Sequence, residues 1–231
     1  MSKLVRINEI TPEELNILQD IDRNCMAMHL PCPPKTFINM KVHEKGELTL
    51  DYDFRSKSWV RNAHNMLLIV FSGFISSGPA TYGAGSTQCK EVGGSMNTLA
   101  YSYLPRTYNS TLGNSDCGIV LGSGNAAETF EEYALQTKIV HGTTSGKLSY
   151  AAQSSPVVSY DSGTKTWTVT FTRIFNNNSG GTVTIRETAM YYDTKAGWIF
   201  MLCRDLLSSS VEVADTAQLT VTYTMTYTFP T

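Results

Sequence analysis

The sequence predicts a mainly β protein: an antiparallel, jelly-roll-like β-sandwich with an N-terminal helix and one buried helix near residues 57–74. Three observations predict it. Charged residues make up 16% of the 231 positions, against about a quarter in an ordinary globular chain. Thr, Ser, Gly, Asn and Tyr fill the difference, a palette suited to sheets with polar outer faces rather than to surface helices. The C-terminal half divides into five strand-like segments, KLSYAAQSSPVVSY, KTWTVTFTRIFN, GTVTIRETAMYYD, GWIFMLCRDLL and AQLTVTYTMTYTF, separated by the turn clusters DSGT, NNNSGG, DTKAG and SSS. No helix pattern alternates with these strands, so they pair antiparallel.

The elements follow in order. TPEELNILQDIDRNCMAMHL opens with Thr11 at an N-cap, Pro12 at the first helical position and acids in the first turn, and PCPP stops it. Leu15, Leu18, Ile21, Cys25 and Met28 form one apolar stripe, which suits an arm docking on a neighbouring subunit or packing on its own domain. Residues 1–35 are therefore expected to be a helical arm and 36–231 a single sandwich domain. TFINMKVHEKGELTLDYDF reads as two strands about Lys45–Gly46. SKSWVRNAHNMLLIVFSGF reads as a helix whose apolar residues sweep a wide face. Its most apolar part, Met66–Ile75, is too short to span a bilayer, so no membrane partner is expected. Residues 77–114 form a Gly/Ser/Tyr-rich insertion in which Tyr101, Tyr103 and Tyr108 stand among small polar residues. Such a loop either covers a sheet or binds a partner through Tyr contact area.

GIVLGSGNAAETFEEYALQTKI (Gly118–Ile139) has nearly the spacing of a dinucleotide-binding loop. That function needs a βαβ unit and an acid about twenty residues on; the sequence there is HGTTSG. The expected structure is instead a strand over Gly118–Leu121, a turn at Gly122–Gly124, and a crossover that buries Phe130, Tyr133 and Leu135. Cys25, His29 and Cys32 have helical spacing and suitable ligand types, but a fourth zinc ligand is available only from remote residues such as Cys89 or His43. No metal or other cofactor is expected. There is no G-x-S-x-G elbow, H-E-x-x-H or Walker loop, and acids such as Asp51, Asp53, Glu131 and Glu132 form no recognisable pair. No catalytic residue is assigned, and the chain is not expected to be an enzyme.

One charge pair is informative. Glu187 falls among Val183, Ile185, Ala189 and Tyr191 on one face of its segment, and Arg204 among Phe200, Leu202 and Leu206 on one face of the next. With Asp193 facing Trp198 across a Thr194–Gly197 loop, Glu187 stands opposite Arg204. Each would be a buried, unpaired charge without the other, so a cross-strand ion pair with an architectural role is expected.

A net charge of −2 provides no basic field for nucleic acid. Five scattered cysteines indicate free thiols in a reducing compartment, and MSKLVRINEI lacks the apolar run of a secretory signal.

Segments SKSWVRNAHNMLL, GIVLGSGNAAETFEEYALQTKIVHG, and the run from VTFTRIFNNNSGG through TIRETAMYYDTKAGWIFMLCRDLLSSS to LTVTYTMTYTF resemble β-rich virion structural proteins of tailed bacteriophages. The resemblance covers roughly residues 36–76 and 115–229 and carries no catalytic motif. It implies a head- or tail-associated virion protein, made in the host bacterial cytoplasm, whose partners are copies of itself and other virion proteins of capsid, portal, neck or tail. The alternative expectation is a binding module that takes a host-surface glycan or receptor through Tyr101, Tyr103 and Tyr108.

Overall fold

The structure is a computed structural model and describes residues 3–30, 32–72, 88–99, 104 and 110–229. In chain order the elements are β1 (Val5–Asn8), α1 (Pro12–Ala27), β2 (Lys35–Glu44), β3 (Glu47–Arg55), α2 (Arg61–Ser72), β4 (Gln88–Lys90), β5 (Met96–Thr98), β6 (Gly118–Gly122), β7 (Ser149–Tyr150), β8 (Val157–Asp161), β9 (Thr166–Asn176), β10 (Val183–Asp193), β11 (Ile199–Val213) and β12 (Gln218–Thr228). Seven strands form a large sheet, β1-β3-β2-β12-β9-β7, with β8 also on the β7 flank of β9. Three form a small sheet, β11-β10-β6, and β4 and β5 make a separate hairpin.

The fold is mainly β and sandwich-like. Alternation in β2, β9 and β12 sends Ile38, Met40, Phe171, Phe175, Val221 and Tyr223 inward, where they meet Ile119, Leu121, Met190 and Cys203 of the small sheet in one core. A second cluster joins Tyr192, Phe200 and Leu202 of the small sheet to Met66 and Ile69 of α2 and Cys89 of β4. The small sheet thus packs against both layers, which is why β6 is buried at all five positions and GIVLG shows no alternation. The jelly-roll comparison extends to the two packed layers and not to the strand count.

Thr11 caps α1 by accepting the Glu14 N–H at 3.1 Å, and Pro12 occupies the first turn. Of the predicted stripe only Leu18 is buried; Leu15, Ile21 and Met28 are exposed, and ion pairs from Glu14 to Arg55 and from Asp22 to Lys35 tether the helix. Residues 1–35 are more than a helical arm, because β1 lies parallel to β3 as an edge strand of the large sheet. Its alternation, Val5, Arg6, Ile7, Asn8, runs for only four residues, too short a pattern to reveal a strand. At the β2–β3 turn both Lys45 and Gly46 have positive φ, the geometry that matches the twist of a tight hairpin.

Three expectations change in detail. The second helix begins at Arg61, because Ser56–Val60 run alongside β11: Arg204 N–H donates to Ser58 O and Val60 N–H to Leu202 O. Its Leu67 and Val70 are exposed, so the helix is buried on one side. The SSS cluster is not a turn: Ser208–Ser210 lie inside β11, where the pairing steps from Glu187↔Leu206 to Ile185↔Val211. This irregular bulge, with Arg186 against Leu207–Ser210, takes up the three serines.

Candidate functional site

The G-S-G string does cradle an anion, and the anion is the protein's own Glu187. The fully buried Glu187 carboxylate accepts Gly124 N–H at 3.1 Å, Thr137 N–H at 2.9 Å and Gln136 N–H at 3.3 Å. Glycine is needed here for space. A Cβ on Gly122 would sit 2.7 Å from Glu187 Cγ and 2.8 Å from Cδ, and one on Gly124 would sit 2.6 Å from Glu187 Oε1. Backbone N–H groups of a Gly-rich loop are good anion ligands; here Gly124 supplies one donor, Gln136 and Thr137 supply the other two, and the anion is a side chain from β10.

Arg204 completes the centre. Its Nε donates to Glu187 Oε2 at 2.6 Å, Nη1 to Glu132 Oε1 at 2.6 Å and Nη2 to Ala126 O at 3.0 Å. The two carboxylates and the charge-assisted hydrogen bonds raise its pKa against the desolvation that would lower it. Arg204 therefore ties β10, β11 and the 123–137 segment together. The strand register differs from the one inferred from the loop. Asp193 faces Ile199, a further shift follows at Met190/Tyr191, and Arg204 stands opposite Ala189. The combined slip is two residues, an even number, so the two side chains stay on one face and meet diagonally. Phe130, expected in the core, is exposed and lies against Arg61 and His64. Leu135 is buried, with its N–H bonded to the Tyr191 hydroxyl.

Next to this centre is a cleft of about 430 Å³ lined by Glu9, Arg55, Lys57, Glu128, Asp205 and Ser208, among others. Asp205 forms part of its wall and is buried, which pushes its pKa up to about 6. A carboxyl that titrates near neutrality is suited to proton transfer. Both of its oxygens are engaged, however: Oδ2 accepts Ser56 Oγ–H at 2.8 Å and Oδ1 accepts Lys57 N–H at 2.9 Å. Its geometry is that of a fastener between the end of β3 and β11.

A second buried cation, Arg173, was not singled out from the sequence. It donates to the carbonyls of Ala151, Cys117, Ile119 and Asn114 at 2.5–3.0 Å and lies over the Tyr150 ring at 4.8 Å. Burial lowers its pKa to about 10. The available signal was parity, since Arg173 falls on the inward set of β9 with Val169, Phe171 and Phe175.

A partly exposed aromatic group lies at one end of the large sheet. Tyr160, Trp167 and Tyr227 stand side by side across β8, β9 and β12, and Phe229 meets the Tyr160 and Tyr227 rings edge-on at 6.4 and 4.9 Å. Tyr101, Tyr103 and Tyr108 lie outside the described residues. Among the described residues no three His, Cys, Asp or Glu side chains are grouped to hold a metal. Cys32 is buried, with its thiol directed at Asp22 O. No helix among the described residues is long and apolar enough to cross a membrane. Comparison with family models, curated proteins and solved structures finds no match.

Proposed function

We propose that the chain is a structural subunit of a tailed-phage virion, a head or tail surface or assembly protein that packs against copies of itself and docks on other virion proteins. The observation that carries this reading is the placement of exposed apolar side chains on an internally braced frame. Leu15, Ile17 and Ile21 lie on α1 and Met28 caps its C-terminus, and Val157, Val158, Tyr160, Trp167 and Phe229 gather at one end of the large sheet. Cys32 N–H donates to Thr228 O, so the chain leaving α1 runs into that same end. Apolar groups concentrated in this way mark contact surfaces. The absolute mass of the protein by light scattering tests the reading: a discrete oligomer is expected, and a monomer at every concentration with no binding to virion proteins overturns it.

The aromatic group favours a second reading, a host-surface glycan module, because aromatic rings stack on sugar faces while neighbouring hydroxyls hydrogen-bond. A glycan array with Trp167→Ala, and separately with Tyr101, Tyr103 and Tyr108 changed to Ala, distinguishes the two. Loss of glycan binding with the oligomer intact favours the module.

A further inference from the structure

We infer that β8 is a self-association edge: two copies pair antiparallel through Val157–Asp161 about a two-fold axis at Ser159, joining their large sheets. This deepens the homo-oligomeric part of the reading above and rests on it.

The contrast among the sheet edges is the first argument. Both edges of the small sheet are covered. Ser58–Val60 line β11 through two backbone hydrogen bonds and the Trp59↔Cys203 bridge. The 137–139 segment lines β6 through Ser123 N–H to Thr137 O, Ile139 N–H to Leu121 O and the Gly122↔Lys138 bridge. On the large sheet, β1 is a four-residue edge. Strand β8 differs. It pairs with β9 alone among the described residues, and all five of its residues are exposed, Val157 at 65% and Val158 and Tyr160 at 55% each.

An open edge is a template for another strand, and proteins that must stay single protect it with Lys, Pro, bulges or an inward charge. β8 contains no Lys, Arg, Pro or Gly, and its register with β9 runs unbroken from Val157↔Thr170 to Asp161↔Thr166.

The second argument is self-complementarity, which an isologous two-fold contact requires. With Ser159 on the axis, Val158 faces the partner's Tyr160 and Tyr160 faces the partner's Val158. Aromatic and β-branched residues pair well across antiparallel strands. Val158 and Tyr160 are in register with Val169 and Trp167, so pairing also joins the two aromatic groups into one continuous surface. A second copy supplies the Val–Tyr match twice, once on each side of the axis, while the outer positions set Val157 opposite the partner's Asp161.

The test uses the full chain. Ser159→Lys sets two like charges opposite each other on the axis at a position that is exposed in the single chain, so the fold is unaffected by circular dichroism while the mass by light scattering halves. Ser159→Cys, treated with oxidised glutathione, gives a disulfide-linked dimer by thiol–disulfide exchange, with reduced glutathione released. Asp161→Cys is the control, because antiparallel geometry puts it about 14 Å from its mate, and it is expected to stay uncrosslinked.

An oligomer whose mass is unchanged by Ser159→Lys, or that leaves Ser159→Cys uncrosslinked, overturns the β8 pairing while the subunit reading stands. A wild-type protein that is monomeric at every concentration overturns the β8 pairing, and it overturns the subunit reading as well where it also binds no virion protein.

Discussion

Glu187 and Arg204 meet diagonally across the β10–β11 hairpin, with Leu206 directly opposite Glu187 and Ala189 directly opposite Arg204. The pair lies under the 123–137 segment, whose backbone supplies three donors to Glu187 and one acceptor to Arg204. Removing the guanidinium alone strands two carboxylates, Glu187 and Glu132. Arg204→Met is expected to lose about 3–5 kcal/mol in urea unfolding. Glu187→Gln on that background should recover part of the loss, since the amide oxygen still accepts Gly124 and Thr137 N–H without burying a charge. A double variant no more stable than Arg204→Met contradicts this account.

The glycine at the end of β6 makes room for that carboxylate. Gly122→Ala forces its methyl into Glu187 and is expected to cost about 1–3 kcal/mol, the usual range for overpacking. Gly181 has nothing within 4 Å of its Cβ position, so Gly181→Ala serves as the matched control and should leave the unfolding midpoint nearly unchanged.

The two sites differ in how far the sequence revealed them. Glu187 and Arg204 were visible because each interrupts an otherwise apolar strand face, and an even register slip preserved their pairing. The layers were visible for a similar reason: β9 and β12 alternate cleanly because one side of the large sheet faces the core and the other faces away. Strand β1 was hidden by its length, and the true extent of β11 by its serines, which resemble a turn but lie in a bulged strand. Asp205 stayed hidden because its partners, Ser56 and Lys57, are nearly 150 positions away. No local spacing encodes a contact of that range.

Four backbone carbonyls and the Tyr150 ring hold the Arg173 guanidinium. Lysine has three donors on one atom and cannot reach four dispersed acceptors. Arg173→Lys is expected to fold but to lose hydrogen-exchange protection around Cys117–Ile119, and to be destabilised by more than about 2 kcal/mol through unsatisfied carbonyls. Unchanged protection in that segment would show that the carbonyls have other partners.

Of the five cysteines, Cys25 is partly exposed and the other four are buried. Burial pushes Cys89 up to about 12, which suppresses the reactive thiolate. An aromatic disulfide reagent at pH 8 should therefore titrate one thiol rapidly in the native protein and five after denaturation. Cys25→Ser should abolish the fast phase; rapid loss of more than one native thiol contradicts the packing of the buried four.

Asp205 gives the pH dependence a sign. Its carboxyl is raised to about 6 in the folded protein from 3.8, chiefly because burial penalises the charged form. The folded state therefore holds this proton more tightly than the unfolded chain does, and stability falls as pH rises between about 4 and 6, then levels off. The shift of roughly two units corresponds to about 3 kcal/mol. Asparagine keeps an oxygen for Lys57 N–H, while the Ser56 hydroxyl turns to accept from its amide. Asp205→Asn should thus be more stable than the wild type at pH 7.5, and the advantage should vanish near pH 4. Urea unfolding of both proteins across that range measures the difference directly and cancels every other titrating group they share. A difference that is constant with pH would mean that Asp205 ionises as freely in the fold as it does in the open chain.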